Sequence, residues 1–274
     1  MMSMKRIPLY ILLAVSVLTG CVSRMTLLHI NDTHSHIEPI RTGQYKGMGG
    51  VIEQAAYIDS VRKADGRRNV MLLHAGDFSQ GTSYFTELDG NIEIDVLNAM
   101  KYDAVCLGNH EFDKGLEDLA RRLNDLDVPA LCANYDFEGT PLEGLVKPYV
   151  IVRKAGKTWG IIGVLTDMSF SVENGIALAL SYKSPADIVN HYADFLKNEK
   201  KCDEVICLTH LGYEGDFYTD QDLATQTRNV DYIVGGHSHT FLDEPQIRTG
   251  LDGRPVVIVT AGYCGIYFGK LVIR

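Results

Sequence analysis

Along the chain, short apolar runs alternate with stretches rich in Gly, Asp, Asn and His, and then with segments whose apolar positions recur every three or four residues. Uninterrupted apolar runs predict buried strands, and the helical recurrence predicts amphipathic helices. The pattern predicts strands at Met25 to Ile30, Val70 to His74, Ala104 to Leu107, Val205 to Thr209 and Tyr232 to Val234. It predicts helices over Val51 to Ala64, Ile92 to Met100, Leu116 to Leu126 and Pro185 to Lys197. Each of those strands runs straight into a polar cluster, and open α/β sheets place their ligands at the carboxyl ends of strands. The strand-like stretches Tyr149 to Arg153, Thr158 to Leu165, Pro255 to Thr260 and Ile266 to Ile273 have no helices between them. Mixed sheets therefore fit better than a purely parallel one.

The amino end breaks the pattern. Lys5 and Arg6 precede an apolar run, Leu9 to Leu18, that is too short to span a bilayer but suits a signal peptide. Leu18-Thr19-Gly20-Cys21 closes it and resembles the lipobox of bacterial lipoproteins. The expected organisation is a signal peptide over 1–20, a short tether over 21–24 beginning at a lipidated Cys21, and one folded domain over 25–274. Such a product is exported and anchored to a membrane, facing the periplasm or the cell surface. The first strand would leave the anchor and carry the polar edge to its far end, away from the bilayer.

Composition narrows the function. The chain has 274 residues, 46% of them hydrophobic, and a formal net charge of -9. That suits a globular domain with a sizeable core and argues against broad electrostatic binding of a nucleic acid polymer. Cys106, Cys132, Cys202, Cys207 and Cys264 form no CxxC pair and mostly sit in apolar runs, so they read as small buried residues. No Gly-x-Ser-x-Gly elbow and no P-loop is present.

The polar clusters are Asn31-Asp32-Thr33-His34, Gly76-Asp77, Gly108-Asn109-His110-Glu111-Phe112-Asp113, Thr209-His210 and Gly235-Gly236-His237-Ser238-His239. A single Asp-x-His is commonly just a turn with a capping carboxylate. Their joint occurrence at successive strand ends points to a site instead. Carboxylate, imidazole and Asn carbonyl donors without thiolate suit divalent ions of hard to borderline character. On an extended segment His237 and His239 would point the same way; a bend after Gly235-Gly236 would let them serve neighbouring ions. His29 and His74, inside strands, read as satisfied core histidines, while His36 and His191 have no assigned role.

These ordered blocks resemble the signature of the calcineurin-like metallophosphoesterases. The Asn109 block with Phe112-Asp113, the Gly-Gly-His-Ser-His block and the helix entry Gly49-Gly50-Val51 resemble its 5'-nucleotidase branch, which includes the periplasmic UDP-sugar hydrolases. The resemblance implies a four-layer α/β/β/α sandwich of two mixed sheets flanked by helices. It implies two divalent ions, with Mn, Zn, Co, Mg and Fe equally compatible. Asp32, His34, Asp77 and His239 would hold the first, and Asp77 would bridge to a second completed by Asn109, His210 and His237. His110 would be the catalytic imidazole, oriented by Asp113. The implied reaction is attack on phosphorus, in line, by a hydroxide shared between the ions.

Better-known members carry a second, carboxyl-terminal domain that recognises the nucleotide base, and nothing in this sequence corresponds to it. The expectation is a separate polypeptide supplying that half, acting with this chain on nucleotides or other phosphoesters. The alternatives are a phosphodiesterase or UDP-sugar hydrolase activity, or a metal- or ligand-binding lipoprotein subunit without turnover.

Overall fold

A computed structural model describes residues 24–170 and 180–274. The signal segment and Cys21 lie outside the described residues. Among the described residues no helix is long and apolar enough to cross a membrane.

One six-stranded sheet has the order β14 (Gly269–Ile273), β1 (Met25–Ile30), β2 (Val70–His74), β3 (Ala104–Cys106), β4 (Ala130–Leu131) and β6 (Val146–Lys147). Its strands are parallel except β14, which pairs antiparallel with β1. The second has the order β12 (Gln246–Thr249), β13 (Pro255–Val259), β11 (Tyr232–Val234), β10 (Glu204–His210), β8 (Lys157–Leu165) and β7 (Tyr149–Lys154). There β12 and β7 are the antiparallel edges. A short ribbon pairs β5 (Tyr135–Asp136) with β9 (Ser181–Tyr182). Both large sheets are thus mixed.

The two-residue alternation of strand side chains builds the layers. Leu28, Ile30 and Leu72 pack toward α1 (Val51–Asp65), α3 (Asn91–Met100) and α4 (Leu116–Asn124), contacting Ile58, Ile94, Leu97 and Leu119. Their neighbours Leu27, Met71 and Leu73 turn the other way and meet Trp159, Ile161, Ile206 and Leu208 between the sheets. On the far side Val205, Cys207 and Ile233 pack on α5 (Pro185–Asn198) and α6 (Asp220–Gln226) through Val189, Ala193, Leu196 and Leu223. Because both faces of each sheet are covered, strands such as Met-Thr-Leu-Leu-His-Ile are buried throughout. The result is an α/β/β/α arrangement of two mixed sheets flanked by helices, as expected.

Several boundaries moved. The strand expected from Ile266 begins only at Gly269, after a turn through Gly265. At Gly269 a Cβ would collide with the His29 ring, so the edge strand can close onto β1 only as glycine. The short α2 (Ser83–Glu87) and α6 were not anticipated; each is under two turns, and α6 is fixed by a capping box between Thr219 and Asp222 rather than by an apolar stripe. The cysteines Cys106, Cys132, Cys202, Cys207 and Cys264 are free and buried.

The two strand histidines differ. His74 is satisfied: its Nδ1 accepts from the Gly76 amide at 3.2 Å and its Nε2 meets Thr33 Oγ1 at 3.0 Å. His29 is buried with Nδ1 unpartnered, which corrects the expectation of a satisfied core histidine. Burial lowers its pKa from 6.5 to about 4. The unfolded chain therefore takes up a proton at His29 as pH falls below about 6.5, whereas the folded chain resists until about 4. His29 should contribute a loss of folding stability of about 3 kcal/mol across that window. Urea unfolding at pH 7 and pH 4.5 should show a smaller acid loss for His29→Leu than for the wild type; equal losses would contradict this.

Candidate metal centre

All the polar clusters converge where the carboxyl ends of the two sheets meet. The first sheet brings Asp32 and His34 after β1, Asp77 after β2, and Asn109 and His110 after β3. The second brings His210 at the end of β10, and His237 and His239 after β11. Asp32 and Asp77 are almost wholly excluded from solvent, as is His210.

Three groups of ligating atoms form there: Asp32 with His34 and His239, Asp77 with His210 and His237, and His34 with Asp77 and His110. Asp77 Oδ2 lies 3.0 Å from His210 Nε2 and 4.0 Å from His34 Nε2, so one carboxylate oxygen faces both sides of the cluster. Asp32 Oδ1 lies 3.4 Å from His239 Nε2 and 3.8 Å from His210 Nε2. The His34 and His239 Nε2 atoms approach to 3.0 Å. His237 and His239 enter different groups because their segment is bent, with φ of 76° and 54°, the second of the two arrangements that the sequence left open.

The backbone pays for this convergence. Asp32 (φ 51°), His34 (47°) and Asp77 (54°) are left-handed as well. Each such non-glycine residue costs about 1–3 kcal/mol and persists only where its surroundings over-determine it. Here the loops hold one another: Asp32 N–H donates to Gly76 O at 2.9 Å, His34 N–H to Asp77 O at 3.0 Å, and Cys264 N–H to Asp32 O at 2.7 Å. Gly108 is obligatory, since a Cβ there would occupy the place of the Asp77 carboxylate.

The electrostatics call for a cation. Burial opposes ionising His210, yet Asp77 and Asp32 push its pKa up to about 10. Burial also opposes ionising Asp77, but the adjacent His210 holds its carboxyl below the usual range. His237 goes the other way: burial and the neighbouring His210 lower it to about 4. Burial lowers His34 too, against the pull of Asp77 and Asp32. Neutral imidazole is the ligating form. His210 Nδ1 donates to Ala75 O at 2.7 Å, which leaves Nε2 for the site. That Nε2 has no hydrogen bond; its 3.0 Å approach to Asp77 Oδ2 is close for charges but not aligned for a hydrogen bond. Asn109 Oδ1 is likewise buried without a partner. Unpartnered buried oxygen and nitrogen atoms in these loops fit divalent ions, and the oxygen and nitrogen set of the ligand groups fits hard to borderline ones.

His110 stands beside this cluster with its ring 5.3 Å from that of His34. Its Nδ1 is 2.7 Å from Asp113 Oδ2, and that hydrogen bond, against burial, raises its pKa to about 9. Nε2 is left to face the site.

The sequence named no role for several residues that hold the ligands. Asn31 donates from Nδ2 to Asp32 Oδ2 at 2.6 Å and to Gly262 O at 2.6 Å, and its Oδ1 accepts from Ala261 N–H. Tyr263 stacks on His239 with centroids 5.1 Å apart. Arg122, fully buried, donates to Asp118, Ser79 Oγ and the Glu111 carbonyl. Asn31 and Glu111 stand inside the motif blocks and were within reach; nothing in the helical pattern distinguished Arg122 from a surface arginine. His36 folds over its own loop, Nδ1 lying 3.0 Å from the His34 carbonyl, and His191 stays outside the site against Tyr192.

Comparison with known proteins follows the same lines. Residues 25–241 match the calcineurin-like phosphoesterase family, and the chain belongs to it. It is 34% identical to the human 5'-nucleotidase (Homo sapiens), over 91% of this chain and 46% of that protein. Among solved structures it resembles a 5'-nucleotidase precursor from Thermus thermophilus, with a TM-score of 0.83, 33% identity, and 92% of this chain against 51% of that one. The NAD nucleotidase of Haemophilus influenzae follows at a TM-score of 0.80 and 28% identity, with 91% of this chain against 47% of that one. The chain thus spans about half the length of these relatives.

If Asp77 serves both sides of the cluster, Asp77→Ala should reduce bound Mn to well under one ion per chain after equilibrium dialysis at micromolar metal. His239→Ala, which touches one side, should retain about one. Equal retention in the two variants would contradict the shared role.

Proposed function

We propose that this chain is a metal-dependent phosphoesterase that removes phosphate from nucleotides. The observation that carries the proposal is the convergence of three ligand groups, two of which share Asp77, with the His110 imidazole held there by Asp113. Asp32, His34, Asp77 and His239 would hold one divalent ion, and Asp77, Asn109, His210 and His237 the other. Bound there, such ions supply Lewis acidity and an activated water for attack on phosphorus.

The chain's own residues do the rest. Asp113 accepts from His110 Nδ1 and favours the charged ring, in which Nε2 also carries a proton. From there it donates to a phosphoryl oxygen or gives its proton to the leaving oxygen, where negative charge develops. Asn31 and the His237 amide hold the Asp32 carboxylate, the latter at 2.9 Å from Oδ2, and the His110 amide holds Asp77 Oδ1 at 3.0 Å. Each carboxylate therefore presents a fixed oxygen to the centre.

Nucleotides are the favoured substrate because the human and Thermus relatives are named 5'-nucleotidases. The Haemophilus relative, named an NAD nucleotidase, supports a wider range of phosphoester leaving groups as the second reading, UDP-sugars among them. Recognition of the leaving group by a second polypeptide is part of the proposal. An aromatic face beside the centre suits that arrangement: Tyr45, Phe241, Tyr263 and Tyr267 pack with centroids 5.5 to 6.4 Å apart, and Tyr267 is 48% exposed. We further propose export and anchoring through lipid on Cys21, which Leu18-Thr19-Gly20-Cys21 supports. The described fold begins at the end of β1 opposite Asp32, about 20 Å from it, which suits a site turned away from the bilayer.

Turnover of p-nitrophenyl phosphate and nucleoside monophosphates should require added divalent metal and vanish with chelator. His110→Asn should lower kcat by about 10²–10⁴-fold with metal content unchanged. Wild-type rates in that variant, or full activity in chelator, would defeat the proposal. A micromolar KM for AMP with the chain alone would remove the second polypeptide from it.

A further inference from the structure

Glu111 belongs to none of the ligand groups, yet it is fully buried directly beneath them. Its carboxylate accepts three backbone amides from two different loops. Oε2 takes Asp77 N–H at 2.9 Å and Gly108 N–H at 2.6 Å, and Oε1 takes Ser79 N–H at 2.9 Å. These amides flank the shared carboxylate on one loop and Asn109 on the other. Neither loop has a strand partner for them at that level, so without Glu111 they would be buried donors with no acceptor. The link is reciprocal, since the His110 amide returns a hydrogen bond to Asp77 Oδ1. Arg122 secures the arrangement from behind through the Glu111 carbonyl and Ser79 Oγ, without touching the Glu111 carboxylate.

We propose that Glu111 is a positioning residue that sets the spacing between Asp77 and Asn109, and so the geometry in which the second ion is held. Asp77 sits at φ 54°, a conformation it does not favour, and the hydrogen bond from its own amide to Glu111 keeps it there. With Asp77 Oδ1 taken by the His110 amide, Oδ2 is left facing His210 and His34. Glutamine at this position offers one carbonyl oxygen. It can serve Asp77 and Gly108 while turning an NH₂ group toward the Ser79 amide, or serve Ser79 and lose the other two. Either way one loop is released from the other. The functional meaning rests on the phosphoesterase reading, whereas the positioning itself shows in metal binding.

The test is Mn²⁺ titration of the metal-free full chain, read from the paramagnetic resonance signal of free Mn²⁺, for wild type, Glu111→Gln and the core control Leu196→Ala. Glu111→Gln should weaken Mn²⁺ binding by about 10–100-fold, the range found when partners of metal ligands are removed. Leu196→Ala, on the buried face of α5, should lower the melting temperature and leave the affinity unchanged. Wild-type affinity in Glu111→Gln, whatever its melting temperature, would overturn the proposal. Should Glu111→Gln fail to fold, Glu111→Asp keeps the charge on a shorter arm, and wild-type affinity there would overturn it equally. A wild-type chain that binds Mn²⁺ as described but hydrolyses no phosphoester would remove the functional reading and leave this one standing. An active wild type with an unaffected Glu111→Gln would do the reverse.

Discussion

Two carboxylates buried at the junction of two sheets set the terms for everything around them. Asp32 and Asp77 have lost their water, and like charges so close in a poorly polarisable interior repel strongly. Backbone amides, Asn31 and imidazoles offset part of that cost. The same two carboxylates push the pKa of buried His210 up to about 10, against the effect of burial. The strained φ angles of the ligand loops, the glycine at 108 and the clamp at Glu111 all follow from holding those oxygens close together.

The arrangement also explains why two sheets are needed. The first supplies both carboxylates, His34 and Asn109, the second supplies His210, His237 and His239, and two of the three ligand groups draw on both sheets. The apolar layer between them, with Trp159 fully buried in it, fixes the distance at which the strand ends face one another. Core packing thus reaches the site through the length and register of β1, β2, β10 and β11, and a cation at the junction would in turn fasten one sheet to the other.

Much of this was legible in the sequence, for a physical reason. Strands covered on both faces leave continuous apolar runs, and the residues that follow them must carry any site, so the blocks from Asn31 to His239 stood out by position and chemistry. What stayed hidden was set by tertiary contact. The sequence left the His237 to His239 segment open between extended and bent, and the choice falls to the Asp32 carboxylate receiving the His237 amide, a contact across 205 residues. The unpartnered Nδ1 of His29 arises only where β14 closes on β1, and Arg122 is buried because Ser79 and Glu111 happen to face it. The late start of β14 follows from the turn at Gly265, which the apolar run through Ile266 disguised.

The central claim is that the two ligand groups hold two separate ions through one shared carboxylate. Crystals of the full chain grown with Mn²⁺ and measured at the manganese absorption edge test it most directly. Two anomalous peaks should appear, one contacting Asp32, His34 and His239, the other Asn109, His210 and His237, with Asp77 touching both. A single peak, or two peaks that share no Asp77 contact, would contradict it.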